Sequence, residues 1–109
     1  MIFMVNITRQ AEEDLRGIFE YIAYELHSFQ NAVGQLGRLE EEIGSLERMP
    51  DRYRAYEREP WFSRGLRIMP VDNYLVFYIP CHDTQTVDVI RVLYGGRNLD
   101  AQLNQSTTN

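Results

Sequence analysis

A change of hydrophobic period near the middle of this chain limits what it can fold into more than any other feature. Through residues 11–46 apolar side chains recur every three to four positions, whereas residues 66–94 carry short runs rich in Val, Ile, Leu, Phe and Tyr. Helices come first and strands follow, and with 109 residues there is room for one core and no second domain.

Residues 2–7 form an apolar run of strand length that ends at Thr8, whose hydroxyl can cap the helix behind it. Ala11, Leu15, Ile18, Ile22 and Leu26 then make one stripe, with Glu12, Glu13, Arg16 and Glu20 falling between them. Ser28 is expected to cap a second helix lined by Ala32, Leu36, Leu39, Ile43 and Leu46, which Pro50 should end because it has no amide proton to donate. Met4, Tyr21, Tyr24 and Phe29 read as packing residues. Three strands are expected over residues 66–71, 74–79 and 86–94, joined by turns at Asp72-Asn73 and at residues 81–84. The expected fold class is α+β: an N-terminal strand, then an antiparallel helical hairpin packed on one face of a three- to four-stranded antiparallel sheet. Gly95-Gly96 breaks the last strand, so residues 1–103 should be a single domain and residues 104–109 a flexible tail.

Several function classes drop out early. No apolar run approaches the ~18 residues a membrane span needs, and residues 1–7 lack the basic leader and cleavage site of a signal peptide. A cytoplasmic location is expected. A single cysteine, Cys81, excludes an internal disulfide, and with no second histidine beside His82 and no cluster of cysteines no metal site is expected, nor any cofactor or small-molecule substrate. All eleven basic residues are arginine. Residues 1–49 hold four of them against nine acids, whereas residues 52–67 hold five against Glu57 and Glu59 alone. The net charge of −5 suits nonspecific nucleic-acid binding poorly.

Arg67 and Arg91 fall on predicted strands and Arg97 just past them, so the sheet's free side and tail are expected to turn all three towards an acidic or phosphate partner. Pairing with Asp88 or Glu59 on the solvent face is the competing expectation. His82 can titrate as an acid or base, or be a plain turn residue. Tyr53, Tyr56, Trp61 and Phe62 interleave with Arg52, Arg54, Arg58 and Arg64, which fits either base stacking or a loop anchored to the core by its aromatics.

The order strand, helical hairpin, meander, together with NYLVFY at residues 73–78 and VIRVLYGGRNL at residues 89–99, resembles the RelE/ParE toxin superfamily over about the first hundred residues. ITRQAEEDL at residues 7–15 and GLRIMPVDNY at residues 65–74 are similar to its first strand–helix junction and its central hairpin. The resemblance implies the toxin of a type II toxin–antitoxin system, as used in plasmid stabilisation, neutralised by a cognate antitoxin and inhibiting growth through DNA gyrase or through ribosome-bound mRNA. RelE-like members cut mRNA using Lys and Arg on the central strands, one of them just after the tyrosine that matches Tyr74. Here Leu75 stands in that place, Arg67 and Met69 stand where a basic pair is found, and Leu103 lies where a terminal tyrosine is placed. The ending RVLYGGRNL is similar to the ParE-like branch, which inhibits gyrase and has no known nuclease chemistry. That branch is favoured, with Arg67, Arg91, Tyr94 and Arg97 as target-binding candidates; a nuclease would draw on Arg67, Arg97, His82 and Tyr94.

Overall fold

The computed structural model describes residues 2–96 and 98–104. Its order is β1 (Met4–Ile7), α1 (Arg9–Glu20), α2 (Phe29–Gly44), β2 (Arg67–Val71), β3 (Tyr74–Cys81), β4 (Thr86–Tyr94) and α3 (Leu99–Asn104). The two long helices pack on a four-stranded sheet ordered β1-β4-β3-β2. β2, β3 and β4 form the antiparallel meander read from the sequence. β1, however, runs parallel to β4, Met4 beside Thr86 and Ile7 beside Val89, so the sheet is mixed and not wholly antiparallel. A parallel neighbour needs a long crossover, which the helical hairpin and the first part of the meander supply.

Thr8 caps α1 as expected, its hydroxyl accepting the Ala11 N–H at 3.2 Å. The apolar stripe of α1 does not run on to Leu26. A π-helical turn over Tyr21–Glu25 widens the spiral and changes its phase, which leaves Leu26 exposed and buries Ala23 instead. Ser28 starts α2 through its carbonyl, which accepts the Ala32 N–H, and its hydroxyl makes no cap. α2 stops at Gly44, well before Pro50. Ser45 bonds back to the Glu42 carbonyl, and the Arg52 guanidinium collects the carbonyls of Ser45, Arg48 and Met49 that the ending helix and turn leave open.

Two apolar clusters sandwich the sheet. Ala11, Leu15, Leu39, Ile43 and Leu46 from the helices meet Met69, Val71, Val76, Tyr78, Val87, Val89 and Val92 on one face. The other face, expected to be free, is also covered. Tyr56, Trp61 and Leu66 from the arginine-rich loop and Leu103 from α3 pack there on Ile68, Phe77 and Leu93. The physical reason is that Leu75, Phe77 and Ile79 alternate with Val76 and Tyr78, so β3 is apolar on both sides and needs two covering layers. α3 takes up the first part of the expected tail, Asn104 included, and residues 105–109 lie outside the described residues. Among the described residues no helix is long and apolar enough to cross a membrane.

Candidate macromolecule-binding site

A bulge in β4 opposite Phe77 and Tyr78 leaves Ile90 without a register partner, so Arg91 shares the side of Leu93. From there its guanidinium reaches Asp14 on α1, with Nε 2.7 Å from Oδ2 and Nη2 2.9 Å from Oδ1, while Nη1 donates to the Gln102 carbonyl of α3 at 3.0 Å. Asp14 also accepts the Val92 N–H at 2.9 Å. One carboxylate thus holds a strand edge, a partly buried arginine and, through that arginine, the last helix. Arg91 pairs with neither Asp88 nor Glu59.

Arg67 lies on the opposite face, in phase with Met69 and Val71. Its Nη1 donates to the Tyr53 carbonyl at 2.6 Å and its Nε stands 3.5 Å from Asp51. Asp51 in turn lies 2.6 Å from His82 Nε2, and the His82 ring meets Phe3 edge-on. Arg67 and Arg91 therefore do not converge, because alternation and the bulge send them to different faces and different acids. Arg97 lies outside the described residues.

Arg58 and Arg64 of the arginine-rich loop are also engaged. Arg58 pairs with Asp100 at 2.6 Å, Tyr56 hydrogen-bonds the same carboxylate, and Arg64 lies 4.5 Å above the Trp61 ring. Trp61 Nε1 donates to Asn104 at 3.3 Å. The aromatics anchor the loop and clamp α3, so Tyr56 and Trp61 are not offered to nucleic-acid bases.

Tyr94 is different: it is 62% exposed, and its ring meets Tyr74 edge-on at 5.8 Å. These two tyrosines form one end of a groove running between the tip of the helical hairpin and the β3–β4 edge. Tyr21, Ile22 and Leu26 line one wall, Gly34 and Arg38 the other. Burial, and then the neighbouring Tyr94 and Tyr21, push the Tyr74 hydroxyl above its ordinary pKa. Arg38 is held at 2.8 Å by Asp72, in the β2–β3 turn, which Gln35 also bonds at 3.0 Å. Arg38, then Gln35, hold that carboxyl below the usual carboxylate range.

Tyr21, Tyr24 and Phe29 were expected to pack inward, as was Met4, yet all four are exposed. The sequence does hold the signal for the tyrosines, since Tyr21 and Tyr24 fall off the Ala11–Leu15–Ile18–Ile22 stripe. Leu26 and Val33 extend the exposed apolar surface around the tip. Bare apolar and aromatic groups of this extent on so small a domain mark a contact surface.

Among known proteins, the sequence model of the family described as "ParE toxin of type II toxin-antitoxin system, parDE" matches residues 5–99. No curated protein matches. The fold is similar to a structure of the chromosomal ParDE system of P. aeruginosa, with a TM-score of 0.71 at 15% identity, covering 87% of this chain and 98% of that one. It is also similar to the RelBE2 toxin–antitoxin complex of Mycobacterium tuberculosis, with a TM-score of 0.61 at 21% identity over 86% and 99% of the two chains. For the free E. coli RelE toxin, in mutant form, the TM-score is 0.62 at 13% identity over 97% and 94%. At such identities these likenesses establish a shared fold.

Proposed function

The chain belongs to the family of ParE toxins of type II toxin–antitoxin systems, and from that premise we propose that it arrests growth by binding a macromolecular target without cutting it. DNA gyrase is the target that ParE-like membership implies, and residues 1–103 act as the single toxin domain. The observation that carries this reading is the chemistry of the sheet face opposite the helical hairpin. Cleaving RNA at a 2′-hydroxyl needs a base, a cation for the developing phosphorane and a proton for the leaving oxygen. Ile68, Leu75, Phe77, Ile79 and Leu93 occupy that face under Trp61 and Leu103, and Arg91 on the same side is taken up by Asp14 and the Gln102 carbonyl. None of the apolar side chains there transfers a proton or carries charge.

A cognate antitoxin is the second partner. In this reading it covers the groove between the hairpin tip and Tyr74–Tyr94, so that antitoxin and target compete for Tyr94. Arg67 and Arg91 act from beneath, holding the loop and the β4 edge in place, and Arg97 is assigned to the target surface together with Tyr94. Induced expression followed by mapping of message ends tests the mode of action. Growth arrest with intact translated messages is expected, and codon-linked cuts would replace this reading with a ribosome-dependent nuclease.

A further inference from the structure

Resting on the reading that Tyr94 contacts the target, we propose that Gly96 is a positioning residue, whose missing side chain leaves the space in which the Tyr94 ring is seated before any partner arrives. A methyl group on Gly96 would stand 3.1 Å from Cδ2 and 3.2 Å from Cε2 of Tyr94, closer than ordinary van der Waals contact allows. Both contacts fall on one edge of the ring, so the Gly96 backbone lies against that edge. The ring is also met by Tyr74, at 79° and with centroids 5.8 Å apart. Any side chain at position 96 would force the Tyr94 ring to swing out of this seat.

Backbone conformation does not account for a glycine here. Gly96 lies outside the left-handed region that glycine enters readily, which among the described glycines Gly65 occupies at φ 82°. The end of β4 is fixed one residue earlier, where the Gly95 N–H donates to the Asn73 carbonyl at 2.9 Å. A methyl group on Gly95 would stand 3.4 Å from that carbonyl oxygen and from Leu75 Cγ, an ordinary contact that touches no part of Tyr94. The two neighbouring glycines therefore differ: position 95 has room for a side chain, whereas at position 96 the ring has taken the room. The consequence bears on binding. Tyr94 is 62% exposed, and an exposed aromatic side chain at a strand end otherwise samples several rotamers, whose loss on association weakens it. A ring already held between Tyr74 and Gly96 enters the contact without that loss.

The test joins a readout that needs no target to one that does. In NMR spectra of the purified chain, cross-peaks between the Tyr74 and Tyr94 rings are expected to change in Gly96→Ala and to stay as in the wild type in Gly95→Ala, with urea titration showing both variants folded. In a gyrase supercoiling reaction Gly96→Ala should inhibit about three- to fivefold more weakly than the wild type. It should add nothing in a Tyr94→Ala background, where no ring remains to be seated, and Gly95→Ala should inhibit as the wild type does. Unchanged inter-ring cross-peaks in Gly96→Ala, an equal loss in the Tyr94→Ala background, or an equal loss from Gly95→Ala would overturn the proposal. Failure of the wild-type chain to inhibit gyrase would remove the target reading and leave the cross-peaks to decide whether Gly96 seats the ring.

Discussion

Asp14 on α1 and Arg91 on β4 form a two-pronged ion pair across 77 positions of sequence, with side chains only 15% and 13% exposed. Since the same carboxylate takes the Val92 N–H, its loss strands both a largely buried cation and an unpaired strand amide. Asp14→Ala is expected to destabilise the fold by about 3 kcal/mol, read as a lowered urea midpoint at unchanged slope. The paired replacement Asp14→Leu with Arg91→Met should recover about half of that, because no charge is then left unmatched.

Alkaline unfolding should report the buried tyrosines. Burial pushes the Tyr78 hydroxyl up to about 12, and burial together with Asp100 does the same to Tyr56. A folded value above the unfolded value of about 10 means the neutral form is favoured in the native state. Their stabilisation is therefore complete below pH ~10 and is lost as pH rises from there towards 12. Urea titrations at stepped pH should show that decline, and Tyr78→Phe should flatten it. The same variant leaves the Pro50 carbonyl, 2.6 Å from the hydroxyl, without its donor, at a cost of about 1–2 kcal/mol at neutral pH.

Asp72 gives the opposite sign. Its carboxyl is held below the usual range, first by Arg38 and then by Gln35. Whatever this pair contributes is present above the ordinary carboxylate range and fades as pH falls through the lowered value. Following the Asp72 carboxyl carbon by NMR should show it titrating below the ordinary carboxylate range, and Arg38→Ala should bring it back up towards that range.

Trp61 fastens the loop over the second sheet face, with 1% of its surface exposed and its indole N–H on Asn104. Trp61→Ala is expected to cost about 3–5 kcal/mol and to free the helix it clamps. Hydrogen exchange at α3 should accelerate in this variant more than at α2, and equal acceleration at both would contradict the clamp.

The helical hairpin and the meander were legible because their periods are local properties of the chain, and Thr8 could be read as a cap from its place alone. Pairing was less so. Met4 beside Thr86 is decided by contacts that no short window contains, which is why the parallel neighbour was missed. The second covering layer had a readable sign, Leu75, Phe77 and Ile79 interleaved with Val76 and Tyr78, a strand apolar on both sides. α3 had only Leu99 and Leu103 four apart in a six-residue helix, too short for a periodic signal. The site was read in part. Tyr94 stands at the surface, at the strand ending that the family resemblance marked for target binding, whereas the partners of Arg67 and Arg91 were hidden because each is set by a bulge or a distant carboxylate. Tyr21 and Tyr24 were legible as surface residues from their place off the apolar stripe, whereas the exposure of Leu26 was hidden because the π turn that changes its phase leaves no mark in composition.

The central claim is that the exposed groove end at Tyr94 grips a large target and that no bond is cut. Titrating purified chain into a gyrase supercoiling reaction, beside the well-exposed variant Tyr94→Ala, tests it most directly. The expected result is inhibition at micromolar chain, weakened about tenfold by Tyr94→Ala with its urea midpoint unchanged. Undiminished supercoiling at saturating wild-type chain would contradict the account.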